Sequence, residues 1–267
     1  MSFLEEILPE IRRAVADPEY FAGLADAPPR APPSLRDAVV AARGWAVLIE
    51  WKRRSPGASP PELKHRPVAE FVRLVEQGGA SALSCLATGP RFLGSPRDVA
   101  DLAETSRLPV LFKDLVVDPK QVEAARRSGA SAILLVARLE TERSPTVPLR
   151  ALAERARAAG LEVVLELHGP EDLKVAERVP ADVYGINLRD LESLTFRPEV
   201  AHATAEAARR LRPLLGLSGV GGAEDARRWA SWGVDGILVG TGFARATDPS
   251  TFLHEIRTAR PTDEDRA

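Results

Sequence analysis

The stretch AVLIEWKRRSPGASP, residues 46–60, begins the pattern that decides the fold. Its four leading apolar residues run into Glu50 and Lys52, and the chain then breaks at SPG. A short apolar run that ends in a turn is typical of a strand buried on both faces. Charged side chains are costly inside such a strand, so the acid and the base predict a place where the strand meets solvent.

Seven further apolar runs follow, each separated from the next by a segment of helical periodicity. The eight runs begin at residues 47, 82, 110, 132, 163, 183, 214 and 236, and they read VLIE, ALSCL, VLFKD, AILLV, VVLEL, VYGIN, LLGLS and GILVG. Between the first two, Val68, Phe71, Val72 and Val75 follow the spacing of one helical face. The strand entries GGASAL, SGASAI, VPADVY and WGVDGI recur at intervals of about fifty residues.

This alternation predicts an α/β protein, a (β/α)8 TIM barrel over residues 46–258 with an N-terminal helical extension over residues 1–45. In the extension, the first helix is predicted at FLEEILPEIRRAV, and the second, LRDAVVAARG, is capped by Ser34 and ended by Gly44. Residues 259–267 are predicted to be disordered. An open doubly wound sheet is the alternative fold, but no glycine-rich dinucleotide fingerprint follows the first strand.

The composition argues against several classes of protein. With 45% hydrophobic residues, 28% charged residues and a formal net charge of −2, the chain can bury a large core, and neither nucleic acid nor membrane is expected as a partner. The lone Cys85 and the acidic N-terminus predict a cytoplasmic protein. His65, His202 and His254 lie far apart without ligand spacing, so no metal site is expected.

Polar side chains follow most of the predicted strands, at the C-terminal ends where barrels of this kind build their active sites. Residues two apart on a strand share a direction, so Glu50 with Lys52, and Asn187 with Arg189, are each predicted to aim a pair at one site. Further candidates at these ends are Lys113, Asp114, Glu166, Ser218, Gly240 and Thr241. At a partly solvated mouth an acid and a base are placed for proton transfer, which accounts for Glu50 and Lys52. His168 is expected to lie behind the reacting groups or in solvent.

Two glycine-rich turns predict a phosphate site. LSGVGG follows the seventh strand and VGTGFA the eighth, and both place small residues where backbone N–H groups can approach an anion. The last two strands of such barrels are the usual position for phosphate. Ser218, Gly219, Gly240 and Thr241 are therefore the predicted phosphate-binding residues.

The chain resembles the indole-3-glycerol phosphate synthase family from about residue 35 to about residue 257. The run IEWKRRSPG matches that family's E-x-K-x-x-S-P run. FLGS, PVLFKDLVVDPKQVEAARRSGASAILL, VVLELH, GINLRDL and SGV are similar in the same order and spacing. The resemblance implies a carboxy-lyase of tryptophan biosynthesis that closes the indole ring of 1-(2-carboxyphenylamino)-1-deoxyribulose 5-phosphate, losing carbon dioxide and water, without a cofactor or a metal.

The resemblance also implies roles for individual residues. Lys113 would be the general acid that protonates the ribulose carbonyl, and Glu166 a carboxylate that assists at the ring nitrogen. Lys52 and Glu50 would serve the dehydration, and Asn187 would complete the catalytic set by orienting the substrate. The remaining binding residues would be Ser55 for the substrate, Arg189 for a loop or a hydroxyl, and Ser218, Gly219, Gly240 and Thr241 for the phosphate.

The sequence departs from the family pattern at a few positions. Leu217 stands where the family usually has an acidic residue before the serine of strand seven, and Ala87 and Thr88 stand where it usually has Thr-Glu. Leu115 replaces a common aromatic residue. Two alternatives therefore stay open: a divergent barrel lyase or isomerase acting on another sugar phosphate, and a catalytically degenerate homologue that only binds a ligand. The partner is expected to be a small phosphorylated molecule, with the chain a monomer or complexed with other tryptophan-pathway enzymes.

Overall fold

The computed structural model describes residues 2–28, 30–42, 45–55, 66–142 and 147–259. Within these residues the strands are β1 Ala46–Trp51, β2 Ala82–Leu86, β3 Val110–Lys113, β4 Ala132–Val136, β5 Glu162–Leu167, β6 Val183–Asn187, β7 Leu214–Leu217 and β8 Gly236–Val239. Each strand pairs in parallel with the next, and β8 pairs with β1 to close the barrel. The predicted barrel is confirmed, and the open doubly wound sheet is wrong because β1 and β8 leave no sheet edge between them.

The helices lie between the strands and at the N-terminus. In the described part of the chain they are α1 Phe3–Ala16, α2 Leu35–Ala41, α3 Val68–Gln77, α4 Pro96–Thr105, α5 Pro119–Arg127, α6 Ala137–Glu142, α7 Leu149–Ala158, α8 Leu173–Ala176, α9 Pro198–Ala207, α10 Ala223–Ser231, α11 Thr241–Arg245 and α12 Pro249–Thr258. The side chains of Ser95, Asp118 and Asp248 accept hydrogen bonds from N–H groups in the first turns of α4, α5 and α12. Such caps satisfy backbone donors that would otherwise lack partners.

Side chains of the strands divide between two apolar layers. Leu48 and Leu111 belong to the cluster inside the barrel, whereas their neighbours Ile49 and Phe112 belong to the cluster between strands and helices. Strand side chains alternate between faces, and both faces here are buried. This double burial explains why the strands appear in the sequence as continuous apolar runs.

Helix α10 packs closely on β7 through one large side chain. Trp229 is 1% exposed, and a Cβ atom added to Gly216 would lie 2.3 Å from its Cδ2 atom. Glycine at position 216 therefore lets the indole ring lie directly on the strand. The Nε1–H of Trp229 donates a hydrogen bond to the carbonyl oxygen of Ser218 at 3.2 Å, which connects α10 to the turn after β7.

The second helix of the N-terminal segment covers the base of the barrel. Leu35 and Val39 of α2 are fully buried in the interior cluster. Ser34 caps α2 by accepting a hydrogen bond from Asp37 N–H at 2.9 Å, as predicted, and its hydroxyl donates to Glu162 Oε1 at 2.5 Å. Because Glu162 is the first residue of β5, this contact fixes α2 at the N-terminal ends of the strands.

The first helix lies at the opposite end, beside the mouth. Glu6 and Glu10 of α1 form ion pairs with Arg91 in the loop after β2, each at 2.9 Å. The rings of Phe3 and Phe92 meet edge to face with centroids 6.2 Å apart. The chain segment before the barrel thus contacts both of its ends. Its predicted helices are confirmed, whereas the domain boundaries at residues 45 and 258 stay predictions.

Some predictions fall on residues outside the described ranges. These are the Pro-Gly turn after Ser55 and residues 260–267 of the tail predicted to be disordered. Two predictions are wrong at their bounds: α2 ends at Ala41 with Ala42 as its C-cap and not at Gly44, and Ala259, the first residue of the predicted tail, is buried in the core. None of the described helices is both long enough and apolar enough to span a membrane.

Candidate active site

A large cavity of about 990 Å³ opens at the C-terminal ends of the strands. Its lining includes every residue that the sequence placed in the site: Glu50, Lys52, Ser55, Lys113, Glu166, Asn187, Arg189, Ser218, Gly219, Gly240 and Thr241. They come from β1, β3, β5, β6, β7 and β8 and from the loops that follow, and the parallel barrel brings these strand ends together. The structure therefore groups the predicted residues, while their individual roles stay predictions.

Glu50 lies between the two lysines of the cavity. Its Oε1 atom is 2.8 Å from Lys52 Nζ, and its Oε2 atom is 3.6 Å from Lys113 Nζ. Burial raises the pKa of Glu50, but the charges of Lys52 and Lys113 outweigh burial and lower it overall. The Glu50 carboxylate is therefore ionised and balances positive charge at the mouth.

Lys113 is a charged group held in a largely desolvated place. Burial lowers the pKa of Lys113, but the charges of Glu50 and Glu166 and a contribution from Asp114 raise it by more. The ammonium group therefore keeps its proton at neutral pH. A buried lysine that carries a proton and faces a cavity can donate it to a developing oxyanion.

Glu166 lines the cavity from β5, and its carboxylate is held in place by His168. Its Oε1 atom lies 2.7 Å from His168 Nε2, and its Oε2 atom makes no hydrogen bond to any described residue. Burial raises the pKa of Glu166, but His168 and Lys113, with the nearby Asn187, lower it to about 2. Glu166 is thus an ionised, buried carboxylate of the cavity lining.

Asn187 and Arg189 organise the loop after β6. Asn187 Oδ1 accepts a hydrogen bond from Arg189 N–H at 3.0 Å. The Arg189 guanidinium donates to the Leu194 carbonyl at 2.6 Å and lies 4.4 Å from the ring centroid of Phe196. These contacts fold residues 188–197 back along the cavity wall, so Arg189 stabilises the loop in this structure.

The end of the cavity that was predicted to bind phosphate is formed by two tight turns. Ser218 and Gly219 have positive φ angles of 69° and 72°, and a non-glycine residue in this region is uncommon. Such strained residues cluster at ligand sites. Thr241 Oγ1 lies 3.5 Å from Ser55 Oγ, and a Cβ atom on Gly242 would lie 2.3 Å from the Val220 carbonyl oxygen. The two turns approach each other so closely that only glycine fits at position 242.

Both carboxylate oxygens of Asp114 are hydrogen-bonded to neighbouring residues of the cavity wall. Its Oδ1 atom accepts hydrogen bonds from the Thr88 hydroxyl at 2.5 Å and from Leu115 N–H, and its Oδ2 atom accepts from the Gln121 amide at 2.8 Å. Burial raises the pKa of Asp114 despite these hydrogen bonds. Thr88, one of the departures from the family pattern, is thus a partner of this buried carboxyl group.

Leu217 lies on the cavity wall and belongs to the apolar interior of the barrel. It is 1% exposed, and a Cβ atom on Gly185 would lie 2.7 Å from its Cδ1 atom. The position at which the family usually has an acid is therefore filled by a packed hydrocarbon side chain. The carboxylates that face the two lysines are Glu50 and Glu166.

Several lining residues were missed by sequence reasoning. Phe3, Phe92, Leu134, Leu191 and Leu238 supply an apolar side, and Arg228 and Arg245 lie near the phosphate turns. Phe3 comes from α1, and no local signal links that helix to the mouth. His168 was expected behind the site or in solvent, and it is buried behind Glu166. The two-residue spacing that paired Glu50 with Lys52 would also have paired Glu166 with His168.

A metal centre is not indicated by the described residues, which contain no group of three or more His, Cys, Asp or Glu side chains arranged to hold an ion.

In a comparison with solved structures, a thiamine phosphate pyrophosphorylase from Pyrococcus furiosus matches with a TM-score of 0.60 and 19% identity, over 85% of this chain and 97% of that one. At this identity the likeness supports the barrel fold alone.

Sequence comparisons identify the family. The profile of "Indole-3-glycerol phosphate synthase" matches residues 4–256. Indole-3-glycerol phosphate synthase 2 of Streptomyces coelicolor is 41% identical over 226 residues, 84% of this chain and 85% of the relative. The synthase of Sulfurisphaera tokodaii is 34% identical over 73% of this chain and 77% of the relative, and that of Staphylococcus aureus strain Newman 31% over 79% of each. With its closed barrel and its grouped acid and base residues, the chain belongs to the indole-3-glycerol phosphate synthase family.

Proposed function

We propose that this chain closes the indole ring of 1-(2-carboxyphenylamino)-1-deoxyribulose 5-phosphate, releasing carbon dioxide and water. The main support is that two lysines, Lys52 and Lys113, contact one buried glutamate in the cavity of a family member. A second carboxylate, Glu166, is supplied by β5. This set provides acids and bases for both halves of the reaction.

The first half is ring closure. The aromatic carbon that carries the carboxylate attacks the ribulose carbonyl carbon, and the carbonyl oxygen takes a proton from Lys113. Loss of carbon dioxide from the attacking carbon then restores the aromatic ring. Lys113 suits this role because neighbouring carboxylates keep it charged. Glu166, which lines the same cavity, would accept a hydrogen bond from the ring nitrogen.

The second half is loss of water. The hydroxyl group formed at the old carbonyl leaves with a proton, and the neighbouring carbon loses a proton to form the double bond. Lys52 and Glu50, 2.8 Å apart, can supply the acid and the base. Ser55 and Asn187 would orient the substrate, while Ser218, Gly219, Gly240 and Thr241 would hold its phosphate at the two turns.

The test is a continuous fluorescence assay for the indole product with purified protein and the carboxyphenylamino-deoxyribulose phosphate. We expect turnover, with one carbon dioxide released for each indole formed. A folded protein that binds this substrate without converting it would contradict the proposal and favour a redirected or degenerate barrel.

The acidic residue that the family usually has at the position of Leu217 is not needed for this chemistry, because the negative charges of Glu50 and Glu166 already balance the positive charges of Lys52 and Lys113. We therefore expect Leu217→Glu to leave kcat no higher than in the wild type. The new carboxylate would be buried without a prepared partner, so stability should fall by about 1–3 kcal/mol. Urea unfolding and steady-state kinetics measure both effects, with Leu217→Gln as the uncharged control. A rise in kcat of about tenfold in Leu217→Glu alone would show that the missing acid limits catalysis.

We also propose that the enzyme works in the cytoplasm, since its lone cysteine, Cys85, is buried and unpaired and suits a reducing compartment. Two assembly states fit a small-molecule substrate: a monomer of 28.8 kDa and a complex with other tryptophan-pathway enzymes. Light scattering on the purified chain, and again on a host extract, distinguishes them.

A further inference from the structure

His168 faces a hydrogen-bond acceptor at each ring nitrogen. Its Nδ1 atom lies 3.0 Å from the carbonyl oxygen of Arg189, and its Nε2 atom lies 2.7 Å from Glu166 Oε1. A carbonyl oxygen only accepts, so Nδ1 must carry a proton. An ionised carboxylate also only accepts, so Nε2 must carry one as well unless Glu166 itself is protonated.

The groups around the pair leave Glu166 as an ionised carboxylate. Acidic groups predominate around the imidazole: Asp172 accepts the backbone N–H of His168 at 2.8 Å, Asp190 follows β6, and Glu171 lies in the turn after β5. The basic groups are one step further away, since Arg138 pairs with Glu171 and Asp172 and Lys113 lies on the side of Glu166. The pKa of Glu166 is lowered overall, so Glu166 is ionised and can only accept at Oε1.

The cavity lining distinguishes the two members of the pair, because both side chains are equally buried, His168 at 2% exposed and Glu166 at 3%. His168 does not line the cavity, whereas Glu166 does. His168 occupies Oε1 and leaves Oε2 buried without a hydrogen-bond partner among the described residues. Any effect of His168 on the reaction must therefore pass through Glu166.

We propose that His168 is a positioning residue: as an imidazolium with both nitrogens protonated, it holds the Glu166 carboxylate ionised and aimed at the ring nitrogen of the substrate. The role in the reaction rests on the function proposed above, whereas the protonation of the ring does not. A charged hydrogen bond of this length is among the stronger ones in proteins. It keeps a buried carboxylate charged where burial alone would neutralise it.

The protonation is tested without substrate, by NMR of protein labelled with 15N in histidine. The chain has four histidines, so the His168 signals are identified by their loss in His168→Gln. We expect one-bond N–H couplings at both ring nitrogens of His168 at neutral pH. A ring with one bare nitrogen would overturn the proposal.

The positioning role is tested by kinetics on two variants. His168→Gln can place a neutral donor near Glu166, and His168→Asn can keep the contact to the Arg189 carbonyl but is too short to reach Glu166. We expect both to lose about ten- to a hundredfold in kcat with little change in KM, since the lost charged hydrogen bond serves the reacting carboxylate. In both, the acidic limb of the pH profile of kcat/KM should move up by about one pH unit, because Glu166 without the imidazolium is protonated more easily.

His202→Gln is the matched control, since His202 stacks on Trp232 and neither residue lines the cavity, so its loss should leave the profile unchanged. If His168→Asn keeps the wild-type kcat, the contact of His168 to the Arg189 carbonyl is enough for activity and the contact to Glu166 is not needed. If the acidic limb of the pH profile does not move in either variant, His168 has a purely structural role. Either result overturns the inference while the wild type still turns over. A wild type without turnover contradicts the proposed function instead, and the NMR result then stands by itself.

Discussion

Lys113→Met is expected to lower kcat by about 10²- to 10⁴-fold while the barrel stays folded. The substitution removes the proton donor but keeps most of the side-chain volume, so packing at the end of β3 is preserved. Glu50 keeps Lys52 at 2.8 Å and Glu166 keeps His168 at 2.7 Å, so neither carboxylate is left alone in the protein interior. Steady-state kinetics by indole fluorescence and a circular dichroism melt measure the two effects.

The control for this prediction is Lys120→Met, which removes an exposed lysine from the first turn of α5. It changes the net charge by the same amount without touching the cavity, so kcat should stay at the wild-type value. If Lys113→Met keeps more than about a tenth of wild-type kcat, the general acid of ring closure is a different group.

Trp229→Ala is expected to destabilise the protein by about 3–5 kcal/mol, a large part of the stability of a typical domain. The indole ring is fully buried against Gly216, so its removal leaves a cavity that neither α10 nor β7 can fill without moving. The variant also loses the hydrogen bond to the Ser218 carbonyl, which steadies the turn predicted to bind phosphate. Urea unfolding followed by circular dichroism measures the loss.

Two companion variants separate packing from hydrogen bonding. Trp229→Phe keeps an aromatic ring but loses the donor, and should cost clearly less than Trp229→Ala while raising KM for the phosphorylated substrate. Trp232→Ala removes the neighbouring, partly exposed indole three residues on. If Trp229→Ala is no more destabilising than Trp232→Ala, the packing of α10 on β7 does not carry the stability assigned to it.

The strands and the grouping of the site were predictable because their causes are local. A strand such as Ala132–Val136, buried on both faces, must be apolar throughout, and charged residues can follow it only where it reaches the mouth. The position of Glu50 and Lys52 follows from strand alternation alone. Once the strands are parallel, all of their C-terminal ends meet at one place, so a local pattern predicts a shared site.

Other features depend on contacts between distant parts of the sequence. Phe3 reaches Phe92, and Arg91 reaches Glu6, only after the barrel exists as a surface for α1. The bonding of Asp114 to Thr88 likewise joins two strand ends, 26 residues apart in sequence. His168 is an intermediate case, since spacing pairs it with Glu166 but only the fold shows that its other nitrogen meets the Arg189 carbonyl. Sequence reasoning therefore identified which residues lie together at the cavity better than it identified the residues that support them.

The attachment of α2 to the first residue of β5 has a consequence for the order of events on the ribosome. Ser34 and Glu162 are 128 positions apart, so α2 leaves the exit tunnel long before its partner has been translated. One edge of β1 stays unpaired for longer still, because it pairs with β8, which lies near the end of the chain. A nascent chain with such distant pairings must keep Leu35, Val39 and the open edge of β1 from aggregating throughout elongation. Exposed apolar side chains and unpaired strand edges of this kind are what make partly folded chains prone to aggregate, so the distant pairings of α2 and β1 place that risk in the early half of the chain.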